Sequence, residues 1–214
     1  MRSMRWVLAG LAVLGPVQAA AQAGIEVGPL LGYYRPYGRF DPTSVYITGL
    51  PATPQVLRGR AWGGEARVWF GRRVGGEIQA SVSRSTIPQV LTPDGARGPT
   101  AARVSTFTAQ GLLTLAGTPA RDQVWLSAGV GAVRHGGDAY APYGTPTNLA
   151  STIGAGGRLR LLPHVYATAG LSALVYTFDV PIPTALGLNP GSLEYGPQVD
   201  VLAHVGLSWM VSGR

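Results

Sequence analysis

The sequence has no cysteine, no lysine and only three histidines. Without cysteine, neither a disulfide frame nor a thiolate metal site is available. His135, His164 and His204 stand far apart and form none of the spaced ligand sets that metal sites use, so neither a metal nor a cofactor is expected. Charge is scarce as well. Only 13% of residues are charged, against about 25% in soluble domains, which is too little to dress a water-facing surface. Beyond the N-terminus, no segment approaches the ~20 continuous apolar residues of a spanning helix.

What is present begins with an export signal. Arg2 and Arg5 form a positive n-region, Trp6 to Val17 an apolar stretch broken by Pro16, and Ala21-Gln22-Ala23 a small-x-small cleavage pattern. Residues 1–23 are therefore expected to be a signal peptide, and 24–214 the mature domain. The mature part has 191 residues (214 − 23), which suits one domain. The formal charge of +7 becomes +5 once Arg2 and Arg5 are removed. A basic balance can mean nucleic acid, but export argues against that partner and makes anionic lipid headgroups the more natural one.

An exported chain with little charge and no spanning helix has one membrane solution left. Backbone groups find no water in a bilayer, so only helices and closed barrels cross it. Eight segments of alternating polarity support the barrel. They run from Ile25 to Arg35, Leu57 to Phe70, Gly75 to Ile87, Ala102 to Gly117, Val124 to His135, Leu149 to Leu162, Val165 to Phe178 and Glu194 to Val211. The last is the clearest. Val199, Val201, Ala203, Val205, Leu207, Trp209 and Val211 oppose Gln198, Asp200, His204 and Ser208, a period of two that no amphipathic helix produces. The seventh is ambiguous, because Val165, Leu171 and Val175 share one parity and Tyr166, Leu174, Tyr176 and Phe178 the other.

Connections alternate in length. Gly71 to Val74, Thr118 to Gln123 and Leu162 to His164 are tight turns. Pro36 to Val56, Pro88 to Ala101, Gly136 to Asn148 and Asp179 to Leu193 are longer and rich in Pro, Gly, Tyr and Thr. Short periplasmic turns with longer external loops are expected of an all-β, closed, antiparallel up-and-down transmembrane barrel, and eight strands leave both termini in the periplasm. Aromatic residues suggest two interfacial belts. Tyr33, Tyr34, Trp62, Phe107, Tyr176, Phe178 and Tyr195 fall toward the outer strand ends, and Trp69, Phe70, Trp125, Tyr166 and Trp209 toward the inner ends, although Trp69 and Trp125 have lumen parity.

On strand count, loop alternation and the final strand from Gln198 to Val211, the chain resembles the small outer-membrane barrels of the OmpA/OmpX type across Gly24 to Arg214. The resemblance implies an outer-membrane location, contact with outer-membrane lipids such as lipopolysaccharide, and insertion by the barrel-assembly machinery. Such barrels usually close on a C-terminal aromatic, whereas Trp209 here is followed by Met210-Val211-Ser212-Gly213-Arg214. Some eight-stranded barrels deacylate lipids with a His and a Ser two residues apart. His204 and Ser208 are four apart, ~13 Å along a strand, too far for a hydrogen bond.

Two constellations remain. The lumen face gathers Glu26, Glu65, Arg67, Glu77, Arg158, Arg160, Asp200 and His204, with Gln79 and Gln110. An eight-stranded barrel has room inside only for side chains, and buried charges must pair, so a salt-bridged plug is expected. At the predicted external rim, Arg35, Arg39, Arg58, Arg60, Arg84, Arg97, Arg103 and Arg134 would complement phosphorylated headgroups. The expected role is structural or surface-interacting and non-enzymatic, with an external ligand the sequence does not name. A narrow channel, a lipid-modifying enzyme and a soluble lipocalin-like barrel are the rivals.

Overall fold

The structure is a computed structural model describing residues 23–37, 58–87, 90–92, 95–119, 121–141, 147–181 and 192–212. Arg39 and most of the expected signal peptide lie outside the described residues.

The described residues form ten strands: β1 (Ala23–Pro36), β2 (Gly59–Phe70), β3 (Val74–Ile87), β4 (Val90–Thr92), β5 (Gly95–Arg97), β6 (Thr100–Gly117), β7 (Gln123–Gly136), β8 (Thr147–Leu162), β9 (Val165–Pro181) and β10 (Ser192–Ser212). Eight of them close into one barrel in the order β1-β10-β9-β8-β7-β6-β3-β2. Every neighbouring pair is antiparallel, and β10 closes the ring on β1. Closure leaves no strand edge for lipid to meet. The eight expected segments coincide with these eight strands to within a few residues. β4 and β5 are additional, a separate small hairpin inside the expected loop from Pro88 to Ala101. Three-residue strands are too short for alternation to register, and the one available signal was the turn tripeptide Pro93-Asp94-Gly95.

The pleat sorts the sequence by parity. Outward positions carry Leu31, Val130, Ile153, Val205 and Val211, each more than 60% exposed, while Glu26, Arg67, Arg158 and Asp200 inside are at most 2% exposed. A water-soluble protein has the opposite polarity, so this is a membrane-spanning barrel and the lipocalin-like reading falls. The eight barrel strands, from 12 to 21 residues, exceed the ~9–11 a tilted spanning strand needs. The ambiguous seventh segment is settled as well, since in β9 Tyr166, Thr168, Ser172, Leu174 and Tyr176 face in.

The turns use the residues their geometry demands. Gly117 has φ +84°, and a Cβ there would sit 1.8 Å from the Asp122 carbonyl, so only glycine fits. Inside the barrel, glycine makes room for rings. A Cβ on Gly156 would lie 2.7 Å from the Trp125 indole, which explains why the Gly154-Ala155-Gly156-Gly157 run sits opposite that ring.

Parity also yields a test. Val130 is outward and mid-strand, 66% exposed. Val130→Arg is expected to destabilise the barrel by about 2–4 kcal/mol, as charges at bilayer mid-depth do. Asp138→Arg, at an exposed position beyond β7, should change stability by no more than about 0.5 kcal/mol. Urea unfolding in lipid vesicles separates the two, and equal responses would refute the assigned lipid face.

Candidate functional site: the filled lumen

The lumen is built in two storeys. Near the end with short turns, Arg67 on β2 is the hub. Its Nε reaches Glu77 Oε2 at 2.5 Å, Nη1 reaches Glu26 Oε1 at 3.1 Å, and Nη2 reaches Glu65 Oε2 at 2.6 Å. One guanidinium thus serves carboxylates from β1, β2 and β3, which its planar fork permits and a lysine would not. Arg158 on β8 crosses the barrel to the other oxygen of Glu26 and also donates to the Pro119 carbonyl. Ser208 and Trp69 donate to Glu26 too. His204 Nε2 lies 3.4 Å from Glu65 Oε2, and Thr168 donates to Glu65 at 3.1 Å.

Rings close over these cations. Arg67 stacks on Trp125 at 4.9 Å, and Arg158 on Trp69 at 5.2 Å and Tyr166 at 4.4 Å. Trp69 and Trp125 meet edge to face at 5.7 Å. A desolvated guanidinium gains from such a face, and the rings exclude the water that would otherwise screen the ion pairs.

Toward the other end the chemistry changes. Asp200 on β10 is fully buried and accepts hydrogen bonds from the hydroxyls of Tyr34 and Tyr176, the latter at 2.7 Å. Tyr176 also meets His135 Nε2 at 3.3 Å. Around them lie Ala61, Val104, Val133, Leu174 and Leu202, joined by Ala139 and Tyr140 from the segment after β7. Ala139 and Tyr140 are fully buried. They are held there by Ala139 N–H donating to the Ala101 carbonyl at 3.1 Å and Tyr140 N–H to the Gly137 carbonyl at 3.1 Å. The chain that leaves β7 therefore folds inward and caps the lumen.

Set against the expected lumen set, Glu26, Glu65, Arg67, Glu77, Arg158 and His204 form one cluster. Two positions need correction. Arg160 is exposed, and its backbone N–H donates to Asp122 at 2.9 Å. It has lumen parity but lies at the exposed end of β8, beside a bulge between Arg160 and Leu162. Asp200 is in the lumen but pairs with tyrosines, because it sits in the opposite storey. The aromatic belts also need correction. Tyr34, Tyr176, Trp69, Trp125 and Tyr166 are buried inside, leaving Tyr33, Trp62, Phe107, Phe70 and Trp209 exposed on the outer face. The side chains of Phe178, Tyr195 and Arg97 lie outside the described residues.

The sequence placed Ser208 on the polar face of the last strand but did not reveal its bond to Glu26, nor the inward Tyr140 and the ring partners. A loop tyrosine that turns inward carries no periodic signal. Of the rim arginines, Arg35, Arg58, Arg60, Arg84, Arg103 and Arg134 are exposed at the long-loop end, and Arg35 lies 4.7 Å over the Tyr37 ring.

No family model and no curated protein matches the chain in sequence. Solved structures do match in shape. Neisserial surface protein A superposes with a TM-score of 0.57 at 11% identity, over 88% of this chain and 98% of that one. The outer membrane protein OprG from Pseudomonas aeruginosa gives 0.53 at 13% identity, over 88% and 96%. At these identities the likeness is one of fold, that of the eight-stranded outer-membrane barrel.

Proposed function

We propose that the protein is a non-enzymatic outer-membrane barrel that anchors and presents its long loops outside the cell, with the short turns and both termini in the periplasm and a lumen that does not conduct. The observation that carries this reading is the occupation of both storeys of the lumen. The Arg67 cluster fills one and the Tyr140-capped cluster the other, all with side chains 7% exposed or less. A path for ions would have to pass both constrictions in series. His204 and Ser208, the nearest approach to a hydrolytic pair, are engaged with different carboxylates, Glu65 and Glu26, so neither is positioned to activate the other. The alternation of loop lengths supports the orientation, and delivery by the barrel-assembly machinery is part of the same proposal.

Membrane fractionation with gel shifts, followed by planar-bilayer recording, tests this. The expected result is an outer-membrane protein that migrates faster unboiled than boiled and shows no steady conductance. A steady, ion-selective conductance in the unmodified protein would make it a narrow channel instead, its lumen charges tuning selectivity.

A further inference from the structure

Strand register adds something to the arginine rim that the sequence does not contain. Arg60 on β2 stands directly opposite Arg84 on β3, and Arg84 directly opposite Arg103 on β6. All three are exposed on the outward face. Arg134 on β7 pairs with Ser105, which makes it the diagonal neighbour of Arg103. Adjacent strands are about 4.7–4.9 Å apart, and like charges directly opposite one another oppose strand pairing. Arg84 meets that repulsion from both sides.

Nothing among the described residues relieves it. Among the described residues, none of the three is in an ion pair, a hydrogen bond or a ring contact. The contrast within the same chain is sharp, since Arg67 and Arg158 are engaged by carboxylates and rings. A row of three unopposed guanidiniums on a sheet surface calls for an anion from outside.

Its surroundings say what kind of anion. Two residues down β2 from Arg60 is Trp62, and four residues down β6 from Arg103 is Phe107, both outward and about half exposed. Val82, opposite Trp62, continues the apolar surface between them. Aromatic rings at that level mark the membrane interface, so the arginines stand at headgroup height with acyl-facing surface beneath. A soluble anion needs only the row, whereas the row together with the apolar surface below it suits a molecule with phosphate above and hydrocarbon below.

We propose that Arg60, Arg84 and Arg103 form a binding site for a phosphate monoester on a lipid of the outer leaflet. The acyl chains of that lipid lie along Trp62, Val82 and Phe107. A phosphate monoester carries about −1.5 to −2 charges at neutral pH, which offsets most of the row, and guanidinium forks bind its oxygens in pairs. The proposal rests on the reading that the long-loop end faces outward, and it does not depend on whether the lumen conducts.

The test uses the full folded chain in detergent micelles. Diphosphorylated lipid A, the same lipid stripped of phosphate, and inorganic phosphate are added separately, and the temperature at which the compact gel band is lost is read. At phosphorylated lipid about a hundred-fold above its dissociation constant, the unmodified barrel should gain roughly 5–10 °C. The dephosphorylated lipid and inorganic phosphate should each give much less. In the triple variant Arg60→Gln, Arg84→Gln, Arg103→Gln the gain should disappear. Without lipid that variant should be at least as stable as the unmodified protein, because the repulsion is gone. This last readout separates a ligand site from a structural role. An undiminished gain in the variant, an equal gain from the dephosphorylated lipid, or an equal gain from inorganic phosphate would each overturn the proposal. Compact migration of both proteins, measured in the same samples, shows that such a failure belongs to the site and not to the barrel.

Discussion

Replacing Arg67 with alanine is expected to destabilise the barrel by about 3–5 kcal/mol, the usual consequence of leaving a buried charge without its partner. The position is severe because one side chain serves three carboxylates. Glu26 retains Arg158, and Glu65 retains His204 and Thr168. Glu77, whose one ion pair among the described residues is with Arg67, keeps none. Trp125 also loses the cation over its ring. Arg67→Lys should lie between, since a single ammonium cannot span three acceptors that the fork reaches at once. Adding Glu77→Gln to Arg67→Ala should recover part of the loss, so the pair is expected to be non-additive. Arg160→Ala is the internal control, because Arg160 is exposed at a strand end, and its cost should stay within about 0.5 kcal/mol. Urea unfolding in vesicles, followed by tryptophan fluorescence, measures all four. Equal effects of Arg67→Ala and Arg160→Ala would remove the hub from this account.

Arg160 also shows where sequence reading stops. Parity is a local property, set by the pleat, so alternation alone assigned Glu65, Arg67 and Glu77 to the lumen and Val130 to lipid. Height in the barrel is not local. Asp200 lies opposite Pro36 on β1, while Glu26 of the same strand lies opposite Met210. Glu26 and Pro36 are ten residues apart, about 33 Å along the strand, which is why an expected Asp200–arginine pair cannot form. The same gap explains the belts. An aromatic near a strand end is placed at the correct level by its sequence position, but whether it faces lipid or lumen depends on parity, and Trp69, Trp125 and Tyr166 were needed inside to cover the guanidiniums. The apolar outer storey hid the parity of β9, because Leu174 and Tyr176 inside look like Val175 and Leu171 outside. Inward folding of Tyr140 depends on contacts with β6 through Ala101, a long-range pairing with no periodic trace. The arginine row is of the same kind, since Arg60, Arg84 and Arg103 are visible singly but their alignment exists only once the strands have paired.

The second large effect is expected in that outer storey. Asp200 is fully buried, has no ion pair with an arginine among the described residues, and its carboxylate is held by the hydroxyls of Tyr34 and Tyr176. Removing both donors with Tyr34→Phe and Tyr176→Phe keeps the ring volumes and leaves the acid unsolvated. Each hydrogen bond to a charged acceptor contributes about 1.5–3 kcal/mol, so the double variant should lose about 3–6 kcal/mol by the same two-donor count. Adding Asp200→Leu to the two phenylalanines should restore most of that stability, because replacing a buried donor–acceptor set by apolar groups of similar size is close to neutral. That rescue distinguishes a desolvated carboxylate from a simple packing defect, which a third substitution would deepen. Thermal loss of the compact gel band orders the three proteins. A double variant as stable as the unmodified barrel, or a triple variant weaker than the double, would show that Asp200 is not held by its tyrosines.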